Sequence, residues 1–192
     1  MTEPSTVPPP ETLLDEAAIA ATVARLAADI ESDHPDGVVL VGVMKGASIF
    51  LADLARAITE VDVQVAFIAI SRYAPDSGRV RILHDVDLDL TDRDVVLVED
   101  LVDTGLTLGY LVNHLVAQGP RRVDVCTLLD RPARRILPVH VRYVGLEIPD
   151  VFVLGYGLHH ADLYRNLPRV YIADRAIVRS TPEAYVGALY AR

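Results

Sequence analysis

The residues with chemistry to offer are concentrated in one stretch, Val95 to Thr107, which reads VVLVEDLVDTGLT. It carries two adjacent carboxylates, Glu99 and Asp100, and then the polar set Asp103, Thr104, Gly105 and Thr107. The backbone amides of Asp103, Thr104, Gly105, Leu106 and Thr107 fall at the start of a helical pattern, beside two hydroxyls. Unpaired amides and the helix dipole favour an anion, so this loop reads as a phosphate cradle. Gly105 lets the backbone approach a ligand closely. Carboxylates next to a phosphate site repel the phosphate unless they bind hydroxyls or a metal. A ribose 5-phosphate, with ring hydroxyls for the carboxylates and a phosphate for the loop, fits both halves. Read alone, the stretch is also compatible with a buried strand and a turn.

The elements around it place this set at a strand end. Val95 to Val98 is a short, β-branched apolar run, the pattern of a strand buried in a parallel sheet. Leu106, Tyr110, Leu111, His114 and Leu115 recur at helical spacing, and Gly119-Pro120 stops that helix near residue 118. In open α/β sheets, ligands bind outside the carboxyl ends of strands, where such a loop sits. The same order occurs earlier. Val38 to Val41 runs into Gly42-Val43-Met44-Lys45-Gly46-Ala47-Ser48, followed by a helix carrying Ile49, Phe50, Leu54 and Ile58. A lysine between glycines at a strand end suggests a second anion loop, although the motif also suits a plain turn.

The rest of the chain alternates strands and helices without a repeat or a linker, which implies one core around a parallel sheet. Residues 1–11 are proline-rich and read as a disordered tail, and 12–31 as an amphipathic helix. The turn SDHPDG follows, with His34 solvated. Residues 61–71 form a strand, 72–79 a polar loop that is either a mobile lid or a hairpin loop, and 80–83 a returning strand. Asp85, Asp87, Asp89 and Asp92 follow as an acidic turn, read as a solvated connection with metal binding as the alternative. Val123 to Leu129 is a strand ending in Arg131, Arg134 and Arg135, candidate contacts for a base and a pyrophosphate. Val139 to Leu146 and Val170 to Ala173 are further strands, and 183–191 is a short helix suited to an oligomer contact.

Composition bounds the function. The chain has 192 residues, 51% of them hydrophobic, enough for one α/β domain. Mean hydropathy is +0.28, yet no apolar run approaches the roughly 20 residues that span a bilayer. The start, MTEPSTVPPPE, lacks the basic and apolar regions of a secretory signal, so a cytoplasmic location is expected. The single cysteine, Cys126, excludes an internal disulfide and reads as an inert buried residue. A net charge of −9 argues against nucleic acid as a partner. An acidic protein that binds a polyphosphate must gather cations locally or recruit a metal.

The central stretch resembles the phosphoribosyl-pyrophosphate (PRPP) motif of type I phosphoribosyltransferases. A longer resemblance, to the hypoxanthine-guanine phosphoribosyltransferase family, runs from about residue 12 to 173 through four motifs in the family's order. It implies an α/β fold of type I phosphoribosyltransferase kind: a central parallel sheet flanked by helices, with a small hood built from both chain ends. Residues 174–192 then form a C-terminal extension. It implies PRPP and a purine-like base as substrates, Mg²⁺ as cofactor, and a homodimer or homotetramer. By resemblance, Glu99 and Asp100 sit at the ribose hydroxyls or at metal-bound waters, and residues 103–107 hold the 5′-phosphate. Asp103 is the general base or acid at N7 of the purine. Met44, Lys45 and Gly46, with a cis peptide often found before the lysine, hold pyrophosphate together with Arg165. Arg72 and Tyr73 belong to the lid. Arg131 faces the exocyclic oxygen of the base, Phe152 stacks on it, the Val153 backbone reads its edge, and Arg135 matches a family arginine.

Four positions depart from the family pattern. Arg131 stands for a lysine, Arg72 for a serine, Ala66 for an aspartate, and His159 for an aspartate that helps with Mg²⁺ and the purine's amino side. Imidazole is a poor ligand for Mg²⁺, which prefers oxygen. The expected reaction is transfer of the phosphoribosyl group to hypoxanthine or guanine. A modified purine or 7-deazapurine, an acidic one included, is the alternative acceptor. An RNA-binding regulator on the same fold is the alternative of a different class.

Overall fold

The structure is a computed structural model that describes residues 7–71 and 81–190. The expected lid residues Arg72 and Tyr73 lie outside the described residues. The chain runs β1 (Glu11–Leu14), α1 (Glu16–Asp33), β2 (Val38–Met44), α2 (Ser48–Ala57), β3 (Val63–Ser71), β4 (Arg81–His84), β5 (Asp94–Val102) and α3 (Leu106–Val116). It continues with β6 (Arg122–Asp130), β7 (Tyr143–Glu147), β8 (Phe152–Leu154), β9 (Val170–Ala173), α4 (Arg175–Ser180) and α5 (Val186–Leu189).

The main sheet has the order β4-β3-β2-β5-β6-β7. All neighbours are parallel except the edge strand β4, which returns antiparallel to β3. Strand alternation sorts the core into two layers. Leu40 and Val96 face α1 and α2, and pack with Ile19, Leu26, Ile30, Phe50 and Leu54. Val39, Val41, Val95 and Leu97 face the other way and pack with Leu108, Leu111 and Leu115 of α3. Both faces are therefore covered, which is why these strands read as continuous apolar runs. Chain order runs outward from β2 to β3 on one side and from β5 to β7 on the other. The sheet thus has its switch point between β2 and β5, the place where α/β sheets open a crevice for ligands.

A second sheet, ordered β1-β9-β8, is antiparallel and joins the two ends of the chain. It is the expected hood. Its outer layer is Leu154, Tyr164, Leu167 and Ala173 packed with Val178 of α4 and Tyr185 before α5.

Three expectations need correction. Residues 12–14 belong to a strand, not to the first helix, because Asp15 caps α1: its Oδ1 accepts the amide of Ala18 at 2.8 Å, and Thr12 and Leu14 pair with β9. Val139 and Val141 lie outside β7, which starts at Tyr143. His34 is not a solvated turn residue but wholly buried. Its Nδ1 lies 3.0 Å from Asp94 Oδ2 and its Nε2 3.1 Å from the Tyr143 hydroxyl, with Arg122 also in contact. Its partners come from the amino ends of β5, β6 and β7, far from it in sequence, so the local turn pattern carried no sign of them. The acidic connection is solvated, as expected: the Asp85 carboxylate meets His114 Nε2 at 2.8 Å. Cys126 is fully buried, which pushes its thiol pKa up and keeps it inert.

Candidate active site

A cleft of about 820 Å³ opens at the carboxyl ends of β2 and β5, with the hood as its far wall. The end of β5 brings in Glu99 and Asp100, both nearly buried. Asp100 Oδ1 accepts the amide of Leu101 at 2.9 Å. Its Oδ2 lies against Gly46: a Cβ there would come within 2.0 Å of it. The two strand ends at the switch point are thereby packed on each other, and only glycine leaves the room.

After β5 the chain turns through Gly105, whose φ of +80° is left-handed and natural only for glycine. The loop is braced from outside. The amides of Ile136 and Leu137 donate to Thr104 O at 2.9 and 3.0 Å. Among the described residues, the amides of Thr104, Gly105 and Thr107 find no acceptor within the protein, while Leu106 N reaches Thr104 Oγ1 at 3.4 Å. These amides and the hydroxyls form a nest of donors at the start of α3, an arrangement that binds an anion. Beyond β2, the Met44–Lys45 peptide is cis, and Met44, Lys45 and Gly46 line the same cleft.

The hood loop that follows β8 meets this second loop. Gly157, at φ +95°, lies so close that a Cβ would sit 2.2 Å from Gly46 O. Tyr156, Ala161, Asp162 and Tyr164 also have positive φ, so the backbone here is held in sparsely populated conformations, which recur at ligand clamps. Arg165 donates from Nη1 to Gly157 O at 2.7 Å and from Nη2 to Asp162 Oδ1 at 3.1 Å. Lys45 Nζ lies 3.9 Å from the same carboxylate. The hydrogen bond from Arg165 and the charge of Lys45 hold the Asp162 pKa below the usual carboxylate range. His159 lines the cleft and accepts the Asp162 amide on Nδ1 at 3.1 Å.

At the end of β6, Arg131 is buried and clasps Asp103 with two donors, Nε to Oδ1 at 3.2 Å and Nη2 to Oδ2 at 3.0 Å. Its Nη1 donates to Val151 O. One guanidinium thus ties β5, β6 and the approach to β8 together. Arg134 is bonded to Asp150, whose pKa it lowers, and Arg135 to Asp130. Arg135 does not line the cleft. Phe152 and Val153 belong to β8, the edge of the hood sheet, so one side of its backbone is left unpaired by strands. The ring of Phe152 meets His160 edge-on, centroids 5.9 Å apart.

The structure therefore gathers Met44, Lys45, Gly46, Glu99, Asp100, the 103–107 loop, Arg131, Phe152, Val153, His159 and Arg165 around one cavity. The match to the Phosphoribosyl transferase domain model covers residues 10–161. The chain is 44% identical over 176 residues to the hypoxanthine-guanine phosphoribosyltransferase of Mycobacterium avium, covering 83% of this chain and 86% of that one. The counterpart from Bacillus subtilis is 38% identical over 172 residues, covering 88% and 95%. A crystal structure of a hypoxanthine-guanine phosphoribosyltransferase from Bacillus anthracis superposes with a TM-score of 0.81 at 39% identity, over 88% of this chain and 100% of that one. This chain belongs to the hypoxanthine-guanine phosphoribosyltransferase family.

Within that family frame, two cleft residues escaped the sequence reading. Asp162 bridges the cations expected to hold pyrophosphate. Its signal was a carboxylate three residues from an arginine in a Gly-rich approach, too common to single out. Arg175 also lines the cleft, its guanidinium 5.7 Å from the Phe152 ring centroid. The register was the available clue: Phe152 pairs with Ala173, which sets residues just beyond β9 beside those just before β8.

Charge in the cleft is balanced. Lys45, Arg131, Arg165 and Arg175 face Glu99, Asp100, Asp103 and Asp162. A polyphosphate entering it brings negative charge for which the protein alone has no surplus cation. Among the described residues no group of three metal-ligating side chains exists. Two carboxylates against an open cavity suit a Mg²⁺ that takes its other oxygens from water and substrate, since Mg²⁺ is rarely caged by protein alone.

Proposed function

We propose that the protein transfers the 5-phosphoribosyl group of PRPP to a purine base of the hypoxanthine or guanine type, releasing pyrophosphate and a nucleoside 5′-monophosphate. The observation that carries this reading is the convergence, at one switch-point cleft, of the 103–107 amide nest, the Glu99–Asp100 pair and the Phe152 edge. Those three subsites match a phosphate, a diol and a flat heterocycle, the three parts of the product.

In this reading the nest holds the 5′-phosphate and fixes the ribose. Glu99 and Asp100 accept from its hydroxyls, or would accept from the waters of a bound Mg²⁺, whose charge would offset that of the leaving pyrophosphate. The Lys45 loop and Arg165 receive pyrophosphate. To do so Arg165 and Lys45 exchange Asp162 for phosphate oxygens, so Asp162 keeps the two cations turned into the cleft. The bond broken joins the anomeric carbon to a pyrophosphate oxygen, and the bond formed joins that carbon to a ring nitrogen. Positive charge grows on the sugar between the two events. The base lies on Phe152, with its edge against the free side of β8. Asp103, aimed by Arg131, takes the proton or hydrogen bond of the far imidazole nitrogen, N7.

The test is to supply PRPP, Mg²⁺ and hypoxanthine, guanine or a modified purine, and to follow pyrophosphate and nucleotide together. Turnover that requires both PRPP and base, and that disappears with chelator, is expected. RNA binding without any pyrophosphate release would refute the reading.

A further inference from the structure

The other arginines at the cleft each hydrogen-bond a carboxylate, and Lys45 lies 3.9 Å from one. Arg131 serves Asp103 and Val151 O, Arg165 serves Gly157 O and Asp162, Lys45 leans on Asp162, and Arg134 at the rim serves Asp150. Arg175 is different. Among the described residues its side chain makes no hydrogen bond and no ion pair; it lies over the Phe152 ring, and its charge reaches Asp150, which Arg134 already hydrogen-bonds. It is half-buried and stands at the first position of α4. Asp174, just before it, caps α4 by accepting the amides of Ala176 and Ile177, and donates its own amide to the Tyr185 hydroxyl at 3.1 Å. A guanidinium packed on an aromatic face, within the range of a cation–π contact, keeps its N–H groups in the ring plane's surroundings and available.

The chemistry around it is one-sided. His159 lines the cleft, at the position where the family pattern has an aspartate, and His160 meets the Phe152 ring edge-on. The two carboxylates nearest this end, Asp103 and Asp150, are taken by Arg131 and Arg134. The Phe152 end therefore offers N–H donors on a guanidinium that has no carboxylate in close contact, because Asp150 is hydrogen-bonded by Arg134. A neutral purine gives that guanidinium no close counter-charge. We propose that Arg175 is an acceptor-specificity residue, and that the base it selects carries an anionic oxygen. That oxygen comes either from ring ionisation of an additional oxo group or from a carboxylate substituent.

This inference rests on the phosphoribosyl-transfer reading of the same cleft. Arginine presents a planar fork to such oxygens, and a charge-assisted bond in a half-dry site is worth about tenfold or more in kcat/KM. The bonds made and broken are the same: the ring nitrogen attacks the anomeric carbon and pyrophosphate leaves with its electron pair. A purine gives up its proton at N7 to Asp103, whereas a 7-deaza base, with carbon there, gives up the proton on the attacking nitrogen itself, to a carboxylate of the cleft or to water.

The experiment measures kcat/KM of the full chain with PRPP and Mg²⁺ for hypoxanthine, guanine, xanthine and a carboxylate-bearing 7-deazaguanine. It is repeated with Arg175→Gln and Arg175→Lys, each checked for an unaltered melting curve. An anionic base is expected to be used at least as well as hypoxanthine. The ratio of anionic to neutral kcat/KM is expected to fall about tenfold in Arg175→Gln and to be largely kept in Arg175→Lys. A xanthine preference that fades as pH falls below the ring ionisation identifies the first source of charge. A preference that persists for the carboxylate identifies the second. Parallel loss on all bases, leaving the ratio unmoved, would mean that Arg175 only packs Phe152 and would overturn the proposal. Turnover of neutral bases alone also overturns it, while leaving the reaction intact. No pyrophosphate release with any base would overturn both.

Discussion

Removing Asp103 and Arg131 one at a time and together tests whether the clasp between them serves catalysis. Asp103→Asn keeps the side-chain shape but loses the proton acceptor, and general-base catalysis of this kind is worth about 10²- to 10⁴-fold in turnover. At 1.36 kcal/mol per decade that is roughly 3–5 kcal/mol of transition-state stabilisation. Arg131→Met keeps the length of a buried side chain while deleting both donors to Asp103 and the donor to Val151 O. Asp103 is about one-third exposed, so the two lost bonds are taken at the low end for charged hydrogen bonds, about 1.5 kcal/mol in all, or near tenfold. If Arg131 acts by aiming Asp103, the double variant turns over about as fast as Asp103→Asn alone. If the two act independently, the losses multiply. Single-turnover kinetics at saturating PRPP and base separate these outcomes. Multiplying losses refute the aiming role, and a fully active Asp103→Asn removes Asp103 from the chemistry.

Gly46→Ala puts a methyl 2.0 Å from Asp100 Oδ2, so one loop must give way; we expect a loss of about 100-fold in kcat/KM for PRPP with a native melting curve. Burial holds the His34 pKa below its ordinary value of about 6.5, although Asp94 pulls the other way. Below that pH the unfolded chain takes up a proton that the folded chain refuses, so stability is whole above it and falls as pH drops toward the folded value. Thermal midpoints at successive pH values below 6.5 should decline, and His34→Gln should flatten that decline. Cys126 should resist a thiol reagent in the folded protein and react fully in denaturant; fast reaction of the folded form would contradict its burial.

Much of the donor half was legible because its parts are consecutive. A strand, an acidic pair, a glycine at positive φ and a helix start follow one another in 95–107, and the cleft places them as written. The acceptor half was legible only as a list of residues. That Arg131 would bind Asp103 depends on β5 and β6 being neighbours, and that Arg175 would reach Phe152 depends on β8 pairing with β9. Such relations exist only after the sheets form. The same holds for His34, whose burial is supplied by strands that begin 60 and more residues later. The first strand was mistaken for helix because Leu13, Leu14 and Ala17 suit either period, and Asp15 decided the matter as a cap.

The hood sheet, with β1 and β8 on either side of β9, has a consequence for the order in which the protein is made. The donor half, residues 38–107, leaves the ribosome early and closes largely on itself through the β2–β5 pairing. The hood waits. Residues 11–14 are synthesised long before their partners, residues 170–172. Until then β1 carries an open edge, and the hood wall of the cleft does not exist. If the proposed roles hold, a nascent chain acquires its sugar-phosphate subsite well before its base subsite, and removal of residues 11–14 should weaken base use more than PRPP binding.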